Sequence, residues 1–235
     1  MDWMKFYYAN PQPERFVEEV RRIAAGGGFD KVETHLVLAT FLGRVIAANP
    51  ALASMWFEQL ADLAGPARDA LHMAAWLSQT AEARAWLQRE HADPRALGPA
   101  PDVLSGPIDH PSRLDIAWAY YFATGDARAV RRVVSALGFM NDVGAAERFK
   151  ASAQTAEDRA RALNDGIFQA ASWSLAALAQ EHPPLIAMYE QLVDDNELDP
   201  TERIALAITL QKLVPDRWSV HIDPQAGTAR IDRKR

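Results

Sequence analysis

The chain has 235 residues, 49% hydrophobic and 24% charged, a mixture that suits a globular domain with a sizeable core of its own. Its formal net charge of −6 opposes the sequence-independent grip on nucleic acid, or on an anionic membrane surface, that a basic face provides. It has no cysteine, which excludes disulfides, thiolate catalysis and Cys-ligated zinc.

The opening Met1-Asp2-Trp3-Met4-Lys5 lacks the basic region and apolar stretch of a signal peptide, and no run approaches the roughly 18 apolar residues of a spanning helix. The expectation is a soluble, cytoplasmic protein without membrane insertion. Pro13 starts a helix whose apolar face is Phe16, Val17, Val20, Ile23 and Ala24, and Gly26-Gly27-Gly28 ends it. Residues 31–48 read as a long, broadly apolar helix through Leu36, Leu38, Leu42, Val45 and Ile46. Asn49-Pro50 and Gly65-Pro66 are breaks that each open a new helix. The first carries Met55, Trp56 and Leu60 inward, and the second carries Ala70, Leu71, Ala74 and Leu77. A shorter helix with Ala83, Trp86 and Leu87 follows.

Residues 92–111 hold Pro94, Pro99, Pro101, Pro107 and Pro111 with Gly98 and Gly106, and read as an irregular connection. Ser112 then caps a helix, with Asp115 three residues on and Leu114, Ala117, Trp118, Tyr121 and Phe122 on one face. Gly125-Asp126 turns the chain into a partner helix lined by Val130, Val133, Val134 and Leu137. A more charged helix spans roughly 144–163. The segment 165–180 is apolar nearly all round, through Ile167, Phe168, Trp173 and Leu178, which places it centrally. Pro183-Pro184 starts another helix, and Asp199, Pro200 and Glu202 open the last. In the tail the period changes to two: Trp218, Val220 and Ile222 alternate with Ser219, His221 and Asp223. Pro224-Gln225-Ala226-Gly227 is a turn from which the chain returns, giving a hairpin over 218–232 that must dock to be stable.

Some spacings suggest a repeat. Thr80 with Ala83-Arg84-Ala85 recurs as Thr124 with Ala127-Arg128-Ala129, and Asn49-Pro50 recurs as Asp93-Pro94. Both pairs lie 44 residues apart, and Glu58-Gln59-Leu60 returns as Glu190-Gln191-Leu192 at three times that interval. The stretch from Leu114-Asp115-Ile116-Ala117-Trp118 to Thr124-Gly125-Asp126, then Arg131-Arg132-Val133-Val134, resembles an uncharacterised family of TPR-like helical proteins. Phe6-Tyr7-Tyr8-Ala9-Asn10-Pro11 and Ala75-Trp76-Leu77-Ser78 are similar to the same family. These are packing motifs, and the TPR signature itself is absent. The resemblance implies an all-α, repeat-like fold and carries no catalytic residues. The expected fold is all-α, antiparallel helix pairs in a TPR-like or α-solenoid-like array with a small C-terminal β-hairpin. It forms a single domain over 1–235, with sub-blocks 1–91 and 112–215 joined by the Pro-rich loop 92–111.

Motifs that carry chemistry are scarce. The six histidines are His35, His72, His91, His110, His182 and His221, and none forms a spaced pair on one helix face. Asp109-His110 has the most suggestive placement, at the end of the Pro-rich loop, although a capping or solvated pair is the favoured explanation. Asp194, Asp195 and Glu197 read as a polar loop before a helix start. Gly26-Gly27-Gly28 lacks the Lys-Ser/Thr of a phosphate loop. Trp56, Trp76, Trp86, Trp118 and Trp173 fall on apolar faces, as core or as a concave peptide groove. Trp3, Phe6, Tyr7 and Tyr8 cluster before the first long helix, either stapling the N-terminus or docking a partner.

No catalytic, metal, cofactor or binding residues are assigned, and no cofactor is expected. The leading expectation is a non-enzymatic scaffold for a protein or peptide. The alternatives are a helical hydrolase or lyase with a dispersed site near loop 92–111, and an acidic neutralising protein of the immunity type.

Overall fold

The structure is a computed structural model, and it describes residues 2–90, 98–151, 155–195, 197–223 and 228–234. The fold is all-α with one small C-terminal antiparallel sheet. The chain divides into two compact units. The first comprises Met1–Ser105 with Asp115–Ala129, and the second Gly106–Leu114 with Val130–Arg235.

The first unit begins with α1 (Asp2–Phe6), a 3-10 turn at Pro13–Arg15 and α2 (Phe16–Ala25). Trp3 and Tyr7 are buried, and Trp3 meets Phe16 and Phe41 edge-on. The N-terminal aromatics therefore staple the chain onto the core, and only Phe6 among them is exposed. The glycine run ends α2 as its composition predicts. Gly27 takes φ +69°, and a Cβ on Gly28 would lie 2.6 Å from Ile23 Cγ2.

Helices α3 (Val32–Ala48), α4 (Pro50–Gln59), α5 (Gly65–Ser78) and α6 (Ala81–Arg89) follow, and α3 packs along α5. Gly43 makes that approach possible, because a Cβ there would sit 2.8 Å from the Ala74 carbonyl oxygen. Phe16 stacks on Trp56 with centroids 4.2 Å apart, and Phe57 stacks on Trp86 at 4.2 Å. Thr80 caps α6 by accepting the Ala83 N–H. Residues 115–124 of α7 (Ser112–Thr124) complete the unit, with Tyr8 donating its N–H to the Phe122 carbonyl and Trp118 buried against Tyr121 and Phe122.

The second unit holds α8 (Ala127–Ser135) from Val130 onward, a 3-10 helix (Ala136–Asp142), α9 (Ala145–Ala151), α10 (Ala156–Glu181), α11 (Pro184–Asp194) and α12 (Pro200–Leu213). Val130, Val133, Val134 and Leu137 are fully buried. Asp199 caps α12 through bonds from the Thr201 and Glu202 N–H groups, with Pro200 in its first turn.

Two expectations need correction here. The helices expected over 144–163 and 165–180 divide elsewhere: α10 runs unbroken from 156 to 181, opened by a capping box of Thr155 and Asp158. Nor is the stretch 165–180 buried all round. Ile167, Ala171, Leu175 and Ala179 form a single buried stripe at four-residue spacing, while Trp173 is 74% exposed. One stripe is what a helix on the flank of a core presents, whatever the rest of its surface carries.

The tail pairs β1 (Trp218–Asp223) with β2 (Thr228–Arg233), Val220 opposite Ile231. The expected turn at 224–227 lies outside the described residues. The hairpin docks at its root: Trp218 is buried, its indole N–H donates to Glu190 at 2.9 Å, and the Gln211 side chain accepts the Val220 N–H. Burial fades along β1 until Ile222 stands in solvent.

The matched positions of the suspected repeat do different jobs. Thr80 opens α6 as its cap, whereas Thr124 ends α7 and bonds back to Tyr120. Glu58-Gln59-Leu60 closes α4, whereas Glu190-Gln191-Leu192 lies inside α11. Asp93-Pro94 lies outside the described residues.

Candidate functional site

A cleft of about 270 Å³ opens in the first unit. The C-terminal half of α3 lines it with Thr40 and Arg44, and the end of α5 with Leu77, Ser78 and Gln79. Ala100–Val103 of the loop form another wall, and Tyr120 with Arg128 the remainder.

Each wall has a local cause. Gly43 lets the end of α5 lie close to α3, which brings the Leu77 carbonyl onto the guanidinium of Arg44. That carbonyl is one of the orphan acceptors at the C-terminus of α5, where a cation is favoured by the helix dipole. The Arg44 guanidinium also lies over the Tyr120 ring, 5.6 Å from its centroid. No carboxylate of the described residues pairs with Arg44.

Among the described residues, Gln79 is the one non-glycine with positive φ, at +56°. It ends α5 in the left-handed conformation that glycine usually supplies. Its amide donates to the Trp76 carbonyl at 2.7 Å and reaches the Gly98 carbonyl at 3.4 Å. The Trp76 indole N–H donates to that same Gly98 carbonyl at 3.0 Å. These bonds hold the loop against α5. Asp102 then folds the loop on itself, accepting the Leu104 N–H on Oδ1 and the Ser105 hydroxyl on its carbonyl.

On the far side, Arg128 donates to the Tyr120 hydroxyl at 3.3 Å and to Asp126 at 2.7 Å. Its bond to Asp126 raises the Arg128 pKa, and the same bond holds the Asp126 carboxyl below its usual range. Asp126 also accepts the Arg128 backbone N–H, so this pair starts α8 as well as closing the cleft.

The two aliphatic hydroxyl groups in the walls are committed to their own helices, Thr40 to the Leu36 carbonyl and Ser78 to the Ala75 carbonyl, and the Tyr120 hydroxyl accepts from Arg128. Among the described residues no histidine lines the cleft, and no carboxylate reaches the Thr40 or Ser78 hydroxyl. The arrangement offers fixed cationic donors, one carboxylate acceptor and an apolar wall, which is the chemistry of recognition.

The residues singled out by sequence fall elsewhere. His110 Nδ1 accepts the Ser112 N–H at 3.2 Å and therefore carries no proton, so it also takes the Ser112 hydroxyl at 2.9 Å. His110 thus bonds the residue that opens α7, and Asp109 pairs with Arg113 at 3.4 Å. The His35 ring bonds the Phe29 carbonyl. His72 packs on Trp86 with its Nε2 3.9 Å from Glu90, and burial holds its pKa below the usual value. His182 is buried, His221 sits 3.9 Å from Asp232, and His91 lies outside the described residues. Among the described residues no group of three His, Asp or Glu side chains could hold a metal ion. Trp56, Trp86 and Trp118 are core residues, so they do not line a groove.

Arg44 escaped the sequence reading. The available signal was that it is the sole charge between Leu36 and Ala48. The chain matches no known protein family, no curated protein and no solved structure. Among the described residues no helix is long and apolar enough to cross a membrane.

Proposed function

We propose that this protein is a non-enzymatic binding module, and that its ligand is a peptide or protein segment that inserts into the cleft between α3, the end of α5 and the loop at 98–105. The observation that carries the reading is Arg44. A cation held in a wall of the cleft by a backbone carbonyl and a tyrosine face keeps donors that a partner can satisfy. The helical hydrolase or lyase alternative would use the same place. Binding is favoured because neither aliphatic hydroxyl in the walls, Thr40 or Ser78, has a base beside it among the described residues.

The test is selection from a random-peptide display library on the intact chain, followed by hydrogen exchange of the complex with a selected peptide. Protection concentrated at 77–79 and 98–104 is the expected result. Failure to enrich any peptide, or protection confined to another part of the surface, refutes the reading.

A further inference from the structure

The cleft's walls differ in chemistry, and, on the binding reading above, the difference specifies which part of a peptide enters. We propose that the cleft receives the C-terminal residue of a peptide that ends in an apolar side chain. Three features converge on that chemistry.

Arginine presents five N–H donors in a planar fork that matches a carboxylate. Among the described residues, Arg44 spends donors on the Leu77 carbonyl alone. Arg128 stands across the same cleft on the Tyr120 hydroxyl, so two guanidinium groups flank one tyrosine ring. A terminal carboxylate completes that set.

Asp102 supplies the complementary acceptor. Its Oδ1 takes the Leu104 N–H, and no side chain or N–H of the described residues bonds Oδ2. That oxygen can accept the backbone N–H of the incoming residue. The rest of the lining is apolar: Leu77, Ala100, Pro101 and Val103. A C-terminal residue has a carboxylate, a backbone N–H and a side chain, one group for each wall. An internal acidic side chain offers only the carboxylate. It leaves the apolar wall bare.

Size agrees. The cleft, at about 270 Å³, is smaller than the roughly 300–1,000 Å³ of pockets that enclose drug-sized ligands. It holds the end of a chain and not a long stretch. Peptide recognition by capture of a terminal carboxylate is an established physical mode.

The experiment uses the full chain, isotope-labelled for NMR, and three N-acetylated tetrapeptide probes. The first ends in leucine with a free carboxylate, the second is its C-terminal amide, and the third is an amide with an internal glutamate. The free acid should shift the amide signals of Arg44, Gln79 and Val103 saturably, and the amide twin should bind about tenfold or more weakly, because a charge-assisted bidentate pair is lost. In Arg44→Gln the two twins should bind alike, the signature of a direct coupling. The acid–amide comparison on the parent chain stands even where Arg44→Gln folds poorly. Equal binding of acid and amide at the cleft overturns the terminal-carboxylate proposal and leaves the binding module standing. Tighter binding of the internal glutamate peptide does the same. The absence of cleft shifts with all three probes overturns both.

Discussion

Helix α3 and the 165–180 segment of α10 both read from sequence as broadly apolar, the second as a central element. In α3 the residues from Ala39 to Gly43 are buried without interruption, and Val45 and Ile46 follow. Its N-terminus has no side-chain cap, and Val32 in the first turn is 76% exposed. In α10 the buried apolar residues form one stripe, but a complete capping box secures the N-terminus. The two helices therefore draw on different sources of stability. Tertiary contact holds α3, while α10 adds local hydrogen bonds to a narrow buried face. Apolar composition fixes how much surface a helix can bury, and its neighbours decide how much it does.

The largest expected effect tests the α3 half of this contrast. Phe41 is fully buried and meets both Trp3 and Tyr7 edge-on. Phe41→Ala should cost about 3–5 kcal/mol, the range for truncating a large core aromatic. Denaturant unfolding against the parent measures it. A loss below about 1 kcal/mol would show that α3 is not held by its packing, because even a small cavity costs more.

Truncation in α10 should come next. Leu175 is fully buried in the stripe, and its carbonyl also accepts the Tyr189 hydroxyl at 3.0 Å. Leu175→Ala should cost about 2–4 kcal/mol, since a helix packed on one side has more freedom to relax into the space. A cost exceeding that of Phe41→Ala would reverse the contrast.

How much of this was legible depends on the range of the interactions. Caps and breaks are local chemistry. Asp199 with Pro200, the glycine run after α2 and the Asn49-Pro50 break are written within a few residues and stand where they were expected. The tail hairpin was visible through its period of two. Longer-range features were not. The side of α10 that meets the core is decided by elements far away in the chain. Arg44 acquires its partner 33 residues on, at Leu77, and only because Gly43 lets α5 approach. Gln79 carries no sign of a left-handed φ, since the usual marker is glycine. The cleft does use residues 100–103 of the Pro-rich connection, Asp102 among them, but its two guanidinium groups come from helices whose sequence reads as core.

A smaller effect tests the capping box. Thr155 accepts the Asp158 N–H at 3.1 Å, and the Asp158 carboxylate accepts the Thr155 backbone N–H at 3.0 Å. Thr155→Ala should cost about 1 kcal/mol, typical of a lost N-cap, and should spare α3. The Thr155 hydroxyl, and then its backbone N–H, holds the Asp158 pKa below the ordinary value. A depressed carboxyl stabilises the fold above its unfolded pKa of about 3.9, and that contribution disappears as pH falls through the lower, folded-state value. Below that value the carboxylate is protonated in both states, and Asp158→Asn should then match the parent. Hydrogen exchange in the first turn of α10, followed down the acid range, reads this directly. Equal protection in parent and Asp158→Asn near neutral pH would remove the box from the account.

The smallest effect is the sharpest test. Trp118 and Trp173 are the same residue type, and both fall on faces that read as apolar from sequence, yet one is 5% exposed and the other 74%. A buried indole loses its contacts and leaves a cavity when truncated, whereas an exposed one leaves only water where water already was. Trp173→Ala should therefore shift stability by no more than about 0.5 kcal/mol, the range of surface substitutions, while Trp118→Ala should cost about 3–5 kcal/mol. Fluorescence gives an independent reading of the same contrast. An aqueous quencher should reach Trp173 in the folded protein, so Trp173→Ala should remove much of the quenchable emission, and Trp118→Ala should remove little of it. A cost for Trp173→Ala approaching that for Trp118→Ala would mean that the outer side of α10 is covered in solution. The contrast between α3 and α10 would then be a matter of which neighbours are present, and not of two kinds of helix.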